Sequence, residues 1–198
     1  MGAQPQSRRR KGATQMKKWI IVSSFGLVAL LLMFTVSSSS DGGSYAEDRA
    51  QIEDLQARYM FALDFRDHDA YAATFSPDGV LDYGAGAVSG RDAIRNLMAG
   101  MNKRAEDEAA KDTSGLRPAA GRHNISNIVV KIDGDKASGR AYWFHMGNSN
   151  PGRTAALDSF GHYEDEMVKV DGKWLFSKRK IYNEQVAAWA AKGKNPCW

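Results

Sequence analysis

The spacing of apolar residues in the first half of the chain predicts amphipathic helices. Over residues 47–64, apolar side chains recur every three or four positions with charged side chains between them: Ile52, Leu55, Tyr59 and Leu63. This is the period of a helix that buries one face. A short helix over residues 69–75 and a third helix over residues 92–108 are also predicted. The Ser-Pro-Asp-Gly run at residues 76–79 predicts a break before a short strand over residues 80–83, which a loop follows.

Beyond residue 121 the pattern changes to the alternation that is typical of strands. Four long strands are predicted, over residues 123–132, 136–146, 159–170 and 173–187. Asp-Gly turns between successive strands predict two hairpins and therefore a four-stranded meander. Helices followed by antiparallel strands indicate an α+β fold, in which three N-terminal helices pack on a curved, mostly antiparallel sheet and enclose an apolar cavity as in a cone. The strands carry apolar residues on both faces, so we expect the face away from the helices to contact another subunit in a homo-oligomer.

The N-terminal segment has the pattern of a signal peptide or a membrane anchor. Residues 19–36 carry no charged side chain and follow a basic cluster. At about 1.5 Å per residue they span ~27 Å as a helix, which suits either an anchor or a long signal-peptide core. Basic flanking residues keep the N-terminus in the cytoplasm. We therefore expect residues 1–40 to be a basic tail with a signal peptide or membrane anchor. Residues 41–198 are expected to form an exported domain, periplasmic or otherwise extracytoplasmic. Contact with the membrane is expected only through residues 19–36.

Charge and motif content exclude several function classes. The net charge is +4, but six basic residues lie within the first eighteen positions, and the rest of the chain holds 21 basic against 23 acidic residues. A folded domain with this slightly negative net charge is not expected to bind nucleic acid. We expect no metal site. The chain has one cysteine, Cys197, and its histidines are scattered without the i, i+4 spacing of a helical metal site: they are His68, His123, His145 and His162. No glycine-rich nucleotide loop or nucleophilic serine motif occurs, so we expect no cofactor, and acid–base chemistry on carbon remains.

A set of short motifs in a fixed order resembles a known family. The motifs are Ile52–Asp64, Phe75–Val80, Gly90–Ile94, Arg122–Asn127, Gly161–Asp165 and Asp171–Trp174. Together, over residues 46–189, they are similar to the SnoaL-like branch of the nuclear transport factor 2-like superfamily. Members with these positions include scytalone dehydratase, bile acid 7α-dehydratase and hexachlorocyclohexane dehydrochlorinase, which are cofactor-free lyases that use a His and an Asp. The superfamily also holds ketosteroid isomerases, polyketide cyclases and members without catalysis, and a dimer or trimer fits the resemblance.

The resemblance implies a catalytic pair. Asp64 matches the carboxylate that orients the catalytic histidine, His123 matches that histidine, and Asn127 completes the His-x-x-x-Asn pattern. A histidine of near-neutral pKa can remove a proton from carbon, and a carboxylate on its other nitrogen fixes the tautomer. Tyr59 lies on the buried stripe and Asp64 lies roughly 140° further round the helix, so both reach one cavity only if the helix end points into it. Tyr59 either hydrogen-bonds a substrate oxygen where negative charge develops or is a core aromatic residue.

The position of His145 depends on the first hairpin turn. A three-residue loop over residues 133–135 places His145 directly opposite His123 on the same face, where it could protonate a leaving group. A two-residue turn at residues 133–134 places Phe144 opposite His123 and turns His145 to the other face. Both alternatives stay open from the sequence.

Four further residues are candidate substrate contacts. They are Asn127, Trp143, Phe61 and Arg179. Arg179, on the last strand, either meets an anionic substrate or pairs with acidic residues of the neighbouring strand. The sequence thus predicts a cofactor-free lyase that eliminates water, or another small leaving group, from a hydrophobic cyclic or aromatic small molecule. The alternatives are a proton-shuttling isomerase of the ketosteroid isomerase kind and a non-catalytic exported domain for ligand binding or oligomerisation.

Overall fold

The structure is a computed structural model and describes residues 44–188 and 190. The predicted basic tail and hydrophobic segment over residues 1–40, and Cys197, lie outside the described residues, so the division at residue 41 stays a prediction. Within the described part of the chain, no helix has the length and apolar character needed to cross a membrane.

Three helices form where the apolar spacing predicts them. They are α1 (Tyr45–Asp64), α2 (His68–Ala73) and α3 (Arg91–Ala109). Ser44 caps the N-terminus of α1: its side-chain oxygen accepts the backbone N–H of Glu47 at 3.2 Å and so satisfies a free donor of the first turn. The predicted stripe of α1 is buried, because Ile52, Leu55 and Tyr59 are fully enclosed.

Six strands form one sheet beside these helices. They are β1 (Phe75–Asp82), β2 (Ala87–Ser89), β3 (Gly121–Asp133), β4 (Lys136–Gly147), β5 (Ala156–Val170) and β6 (Lys173–Asn183). The spatial order is β2-β1-β6-β5-β4-β3. All neighbouring pairs are antiparallel except β1 and β6, which are parallel. The α+β class, the mostly antiparallel sheet and the four-stranded meander β3–β6 are confirmed.

The short helix ends before residues 76–79 as predicted, but the strand expected over residues 80–83 begins earlier, at Phe75, so residues 76–79 belong to β1. The pairing of β1 with β6 shifts register between Phe75 and Val80. Proline and glycine are tolerated at such an interruption of the hydrogen-bond ladder. A Cβ on Gly79 would lie 2.9 Å from the Phe75 Cβ, so glycine also permits close packing there. The loop expected after this strand contains the short strand β2.

The core lies between the helices and the inner face of the sheet. Trp174 and Phe176 of β6 pack with the buried stripe of α1. Asp48, in the first turn of α1, accepts the Lys169 Nζ at 2.6 Å and the Trp174 Nε1 at 2.9 Å. These contacts join the beginning of α1 to β5 and β6, and its other end reaches the start of β3.

Candidate active site

The end of α1 places a carboxylate against the first residues of β3. Asp64 is the last residue of the helix, and Arg66 leaves the helical conformation with a φ of 60°. The Asp64 Oδ2 accepts the backbone N–H of His123 at 2.9 Å, and its Oδ1 lies 2.6 Å from the His123 Nδ1. The Asp64 side chain is 6% exposed and that of His123 is 24% exposed. Because a carboxylate accepts only, the His123 Nδ1 donates and its Nε2 is left to accept a proton.

The surroundings of His123 favour its neutral form. Burial lowers the pKa of the imidazole below its ordinary value, and the nearby His145 lowers it further. The hydrogen bond to Asp64 opposes this effect without overcoming it. His123 is therefore a neutral base near pH 7, paired with a group that stabilises its protonated form.

A small cavity opens beside His123. Its volume is about 220 Å³, and its wall includes Tyr59, Tyr71, Tyr83, His123, Trp143 and Tyr163. The placement of Trp143 against the cavity agrees with its expected substrate contact. Among the described residues that line the cavity, His123 is the only histidine, and there is no aspartate, glutamate, lysine or arginine. The site is thus suited to a small neutral molecule.

Two tyrosine hydroxyls meet at the cavity wall. The hydroxyl oxygens of Tyr59 and Tyr71 lie 2.7 Å apart, and both side chains are buried. Burial raises the pKa of both phenols, so they remain protonated. One hydroxyl donates to the other, and the accepting hydroxyl keeps its own hydrogen for a further partner. Tyr71 was missed by sequence reasoning, because its position in a short helix carries no signal of where that helix packs.

His145 lies directly opposite His123 in the pairing of β3 with β4, and the two ring centroids are 4.5 Å apart. This placement confirms one of the two alternatives, but the turn expected to produce it is wrong. The turn has two residues, Gly134 and Asp135. A bulge near Asn127, whose φ is 54°, then shifts the register so that the histidines face each other.

Two expected substrate contacts lie outside the cavity and are corrected. Asn127 is exposed at the bulge, where its side chain is no part of the cavity wall. Phe61 is 64% exposed and stacks on Phe65 with centroids 6.2 Å apart. Two residues along a helix turn a side chain by about 200°, so Phe61 points away from the face that carries Tyr59.

Arg179 is also corrected as a substrate contact, and the alternative of pairing with an acidic neighbour is confirmed. Its Nε and Nη2 donate to the two oxygens of Asp165 at 2.8 and 2.7 Å, and Gln56 accepts from Nη2 as well. The guanidinium packs against the ring of Tyr59, 4.1 Å from its centroid. Burial opposes the charge, but the Asp165 carboxylate together with Tyr59 and Tyr163 raises the pKa of Arg179 above its ordinary value. Arg179 is a fully enclosed structural cation behind the tyrosine wall.

A second carboxylate, missed from the sequence, contacts the other histidine. The Asp158 Oδ1 lies 2.6 Å from the His145 Nδ1. Asp158 occupies an irregular position in β5, and nothing in the alternation of apolar residues marks where such an irregularity falls. In the part of the chain that the structure covers, no group of three or more histidine, cysteine or acidic side chains is arranged to hold a metal ion.

Comparisons with known proteins agree with this architecture. The model of the SnoaL-like domain family matches residues 44–180. An uncharacterized protein of Mycobacterium tuberculosis is 28% identical over 134 residues, which cover 67% of this chain and 82% of the relative.

Solved structures share the fold. ActVI-ORFA of Streptomyces coelicolor is similar with a TM-score of 0.58 at 19% identity, over 70% of this chain and 96% of the other. A Novosphingobium aromaticivorans protein named as a candidate scytalone dehydratase has a TM-score of 0.54 at 24% identity, over 75% of this chain and 92% of the other. An NTF2-like protein with a cystatin-like fold from Novosphingobium aromaticivorans has a TM-score of 0.57 at 22% identity, over 83% of this chain and 93% of the other. At these identities the likeness concerns the fold alone.

Proposed function

We propose that this chain, which belongs to the SnoaL-like domain family, is a cofactor-free lyase that eliminates water or another small leaving group from a neutral cyclic molecule. The observation that carries the proposal is the hydrogen-bonded pair of Asp64 and His123 at the wall of an apolar cavity. One similar structure, from Novosphingobium aromaticivorans, is named as a candidate scytalone dehydratase, and dehydration is an elimination of this class.

The base in this reaction is the His123 Nε2. A neutral imidazole removes a proton from carbon readily only where a neighbouring carbonyl makes that proton acidic, so the substrate is a ketone with a hydrogen on the adjacent carbon. The imidazolium that forms is stabilised by Asp64, whose Oδ1 lies 2.6 Å from Nδ1. General-base catalysis of this kind contributes about 10²- to 10⁴-fold to the rate.

The remaining steps use groups close to the base. Negative charge develops on the carbonyl oxygen as the C–H bond breaks, and the hydroxyl pair of Tyr59 and Tyr71 supplies a hydrogen-bond donor at the cavity wall. The C–O bond to the hydroxyl on the next carbon then breaks as the C=C bond forms. His145, with its ring centroid 4.5 Å from that of His123, protonates the departing hydroxyl, which leaves as water.

The cavity restricts the substrate to one or two rings. Drug-sized pockets have volumes of about 300–1,000 Å³, whereas this cavity has about 220 Å³. Since Arg179 is enclosed behind the tyrosine wall, no guanidinium is available there for a carboxylate or phosphate group. A neutral cyclic β-hydroxy ketone meets both conditions.

Dehydration of a β-hydroxytetralone tests the proposal. Loss of water followed by tautomerisation gives a fluorescent naphthol, so turnover of the full chain is followed directly. We expect His123→Gln to lower kcat/KM by about 100-fold or more. His162→Gln is the matched control, because His162 pairs with Glu184 and does not line the cavity.

The same experiment separates the alternatives. If the chain moves the double bond of a β,γ-unsaturated cyclic ketone but releases no water from hydroxy ketones, it is an isomerase. If a naphthol binds in the cavity and neither reaction occurs, the domain is a non-catalytic binding module.

We also propose that the sheet face away from the helices contacts a second copy of the chain. Tyr142 and Phe160 are 56% and 45% exposed on that face. Sedimentation of the full chain should show a homo-oligomer, and Tyr142→Lys should weaken it.

Export through residues 19–36 likewise stays a proposal, and cell fractionation tests it.

A further inference from the structure

We infer that Asp158 is a positioning residue that holds His145 as a second imidazole–carboxylate pair beside the first. The inference rests on the proposed function, because it assigns how the acid of that reaction is oriented. The four groups then contact one another in succession: Asp64, His123, His145 and Asp158.

The two pairs share one contact, although Asp64 also accepts the His123 backbone N–H and Asp158 is 37% exposed against 6% for Asp64. In each, the carboxylate Oδ1 lies 2.6 Å from the histidine Nδ1. Because the carboxylate can only accept, Nδ1 of His145 carries a hydrogen, and its Nε2 is the nitrogen that exchanges protons. Ser159 donates its hydroxyl to the Asp158 Oδ1 at 3.3 Å and is the second hydrogen-bond partner of this carboxylate.

The backbone is shaped to hold this second pair. Gly121 of β3 and Gly147 of β4 are directly paired. A Cβ on Gly121 would overlap the His145 imidazole, and a Cβ on Gly147 would lie 2.6 Å from the Asp158 Oδ2. Neither glycine has a positive φ, so space rather than backbone conformation requires them. The two glycines form a recess that the imidazole ring occupies.

An irregularity in β5 brings Asp158 to this recess. His145 pairs with Ser159 and Met146 pairs with Leu157, which leaves Asp158 as the extra residue between them. A bulge of this kind turns a side chain to a direction that regular alternation would not give it. The bulge therefore aims the carboxylate at the His145 Nδ1.

The functional consequence is a division of roles between two neighbouring imidazoles. Asp64 supports the ring that takes a proton from carbon. Asp158 accepts from Nδ1 of the other ring, so that when this ring is protonated the proton that it releases is the one on Nε2. In the substrate the C–H and C–O bonds break and the C=C bond forms. Before the next turnover, His123 loses the proton it gained to solvent, and His145 takes up a proton from solvent.

Nitrogen-15 NMR of the histidine side chains in the full chain tests the inference without turnover. In the wild type we expect neutral His145 to carry its hydrogen on Nδ1. Asp158→Asn should move the hydrogen largely to Nε2, and Gly121→Ala should do the same with Asp158 intact, because the ring is displaced from the recess. Glu184→Gln is the matched control, since it should change His162 alone.

Turnover of the β-hydroxytetralone adds a second readout. We expect Asp158→Asn to lower kcat by about tenfold or more with little change in KM, and Asp158→Glu to restore part of the loss. An unchanged His145 tautomer in Asp158→Asn would overturn the inference whatever the activity. If His123→Gln keeps full activity while Asp158→Asn alters the His145 tautomer, the proposed function is overturned but the positioning of His145 by Asp158 remains.

Discussion

Replacing Asp64 by Asn removes one negative charge from the site while keeping the size of the side chain and one oxygen that can accept from His123. The Asp64 carboxylate lies 2.6 Å from the His123 Nδ1, and its side chain is 6% exposed, so solvent screens the interaction weakly. Hydrogen bonds to charged groups contribute about 1.5–3 kcal/mol and neutral ones about half of that. The variant should therefore destabilise the imidazolium by about 0.8–1.5 kcal/mol, and 1.36 kcal/mol corresponds to a tenfold change in the protonation equilibrium.

The assay is an NMR titration of the His123 ring in the full chain, with wild type and Asp64→Asn compared. Burial already lowers the pKa of His123, and loss of the carboxylate should lower it further. Glu184→Gln serves as the control, because it removes a carboxylate from His162 and should leave the titration of His123 unchanged. An unchanged or raised pKa of His123 in Asp64→Asn would refute the reasoning, since the carboxylate would then not stabilise the protonated ring.

Other predictions concern stability and the corrected residues. Arg179→Met leaves the buried Asp165 carboxylate without its cation, so urea unfolding should show a loss of about 3–5 kcal/mol. The additional change Asp165→Leu should recover much of that loss, and equal stability of the single and double variants would contradict the prediction. Asp48→Asn should lower the unfolding free energy by about 1–2 kcal/mol at pH 7. Because hydrogen bonds in the fold, above all that from a lysine, lower the pKa of Asp48, the difference from wild type should shrink as acid protonates the carboxylate, and a pH-independent difference would contradict the assignment. Phe61→Ser, on the exposed side of α1, should change stability by no more than about 0.5 kcal/mol and leave turnover unchanged, which unfolding and the naphthol assay check.

Periodicity was sufficient to predict the main elements. The three- and four-residue spacing of Ile52, Leu55 and Tyr59 predicts α1, and alternation predicts the four long strands, because each pattern reflects burial of one face. The resemblance implied the pairing of Asp64 with His123, and the hydrogen bond between them agrees with it.

Irregular backbone limited the rest of the prediction. The two-residue turn alone would place a neighbour of His145 opposite His123. The bulge near Asn127 shifts the register by one residue, so that His145 faces His123, and the alternation of apolar residues does not reveal such a bulge. The bulge at Asp158 likewise aims a carboxylate that regular pairing would place elsewhere. Phe61 shows a different limit, because apolar character alone does not distinguish the cavity side of a helix from its exposed side.

The central claim is that His123 removes a proton from carbon, and hydrogen–deuterium exchange at the carbon beside a ketone tests it most directly. Tetralone without a hydroxyl group offers the acidic C–H bond but no leaving group, so exchange in deuterium oxide reports the proton transfer alone. We predict that the wild-type chain exchanges this position about 100-fold or more faster than His123→Gln, with His162→Gln matching the wild type. Equal exchange by the wild type and His123→Gln, with tetralone bound in both, would contradict the claim.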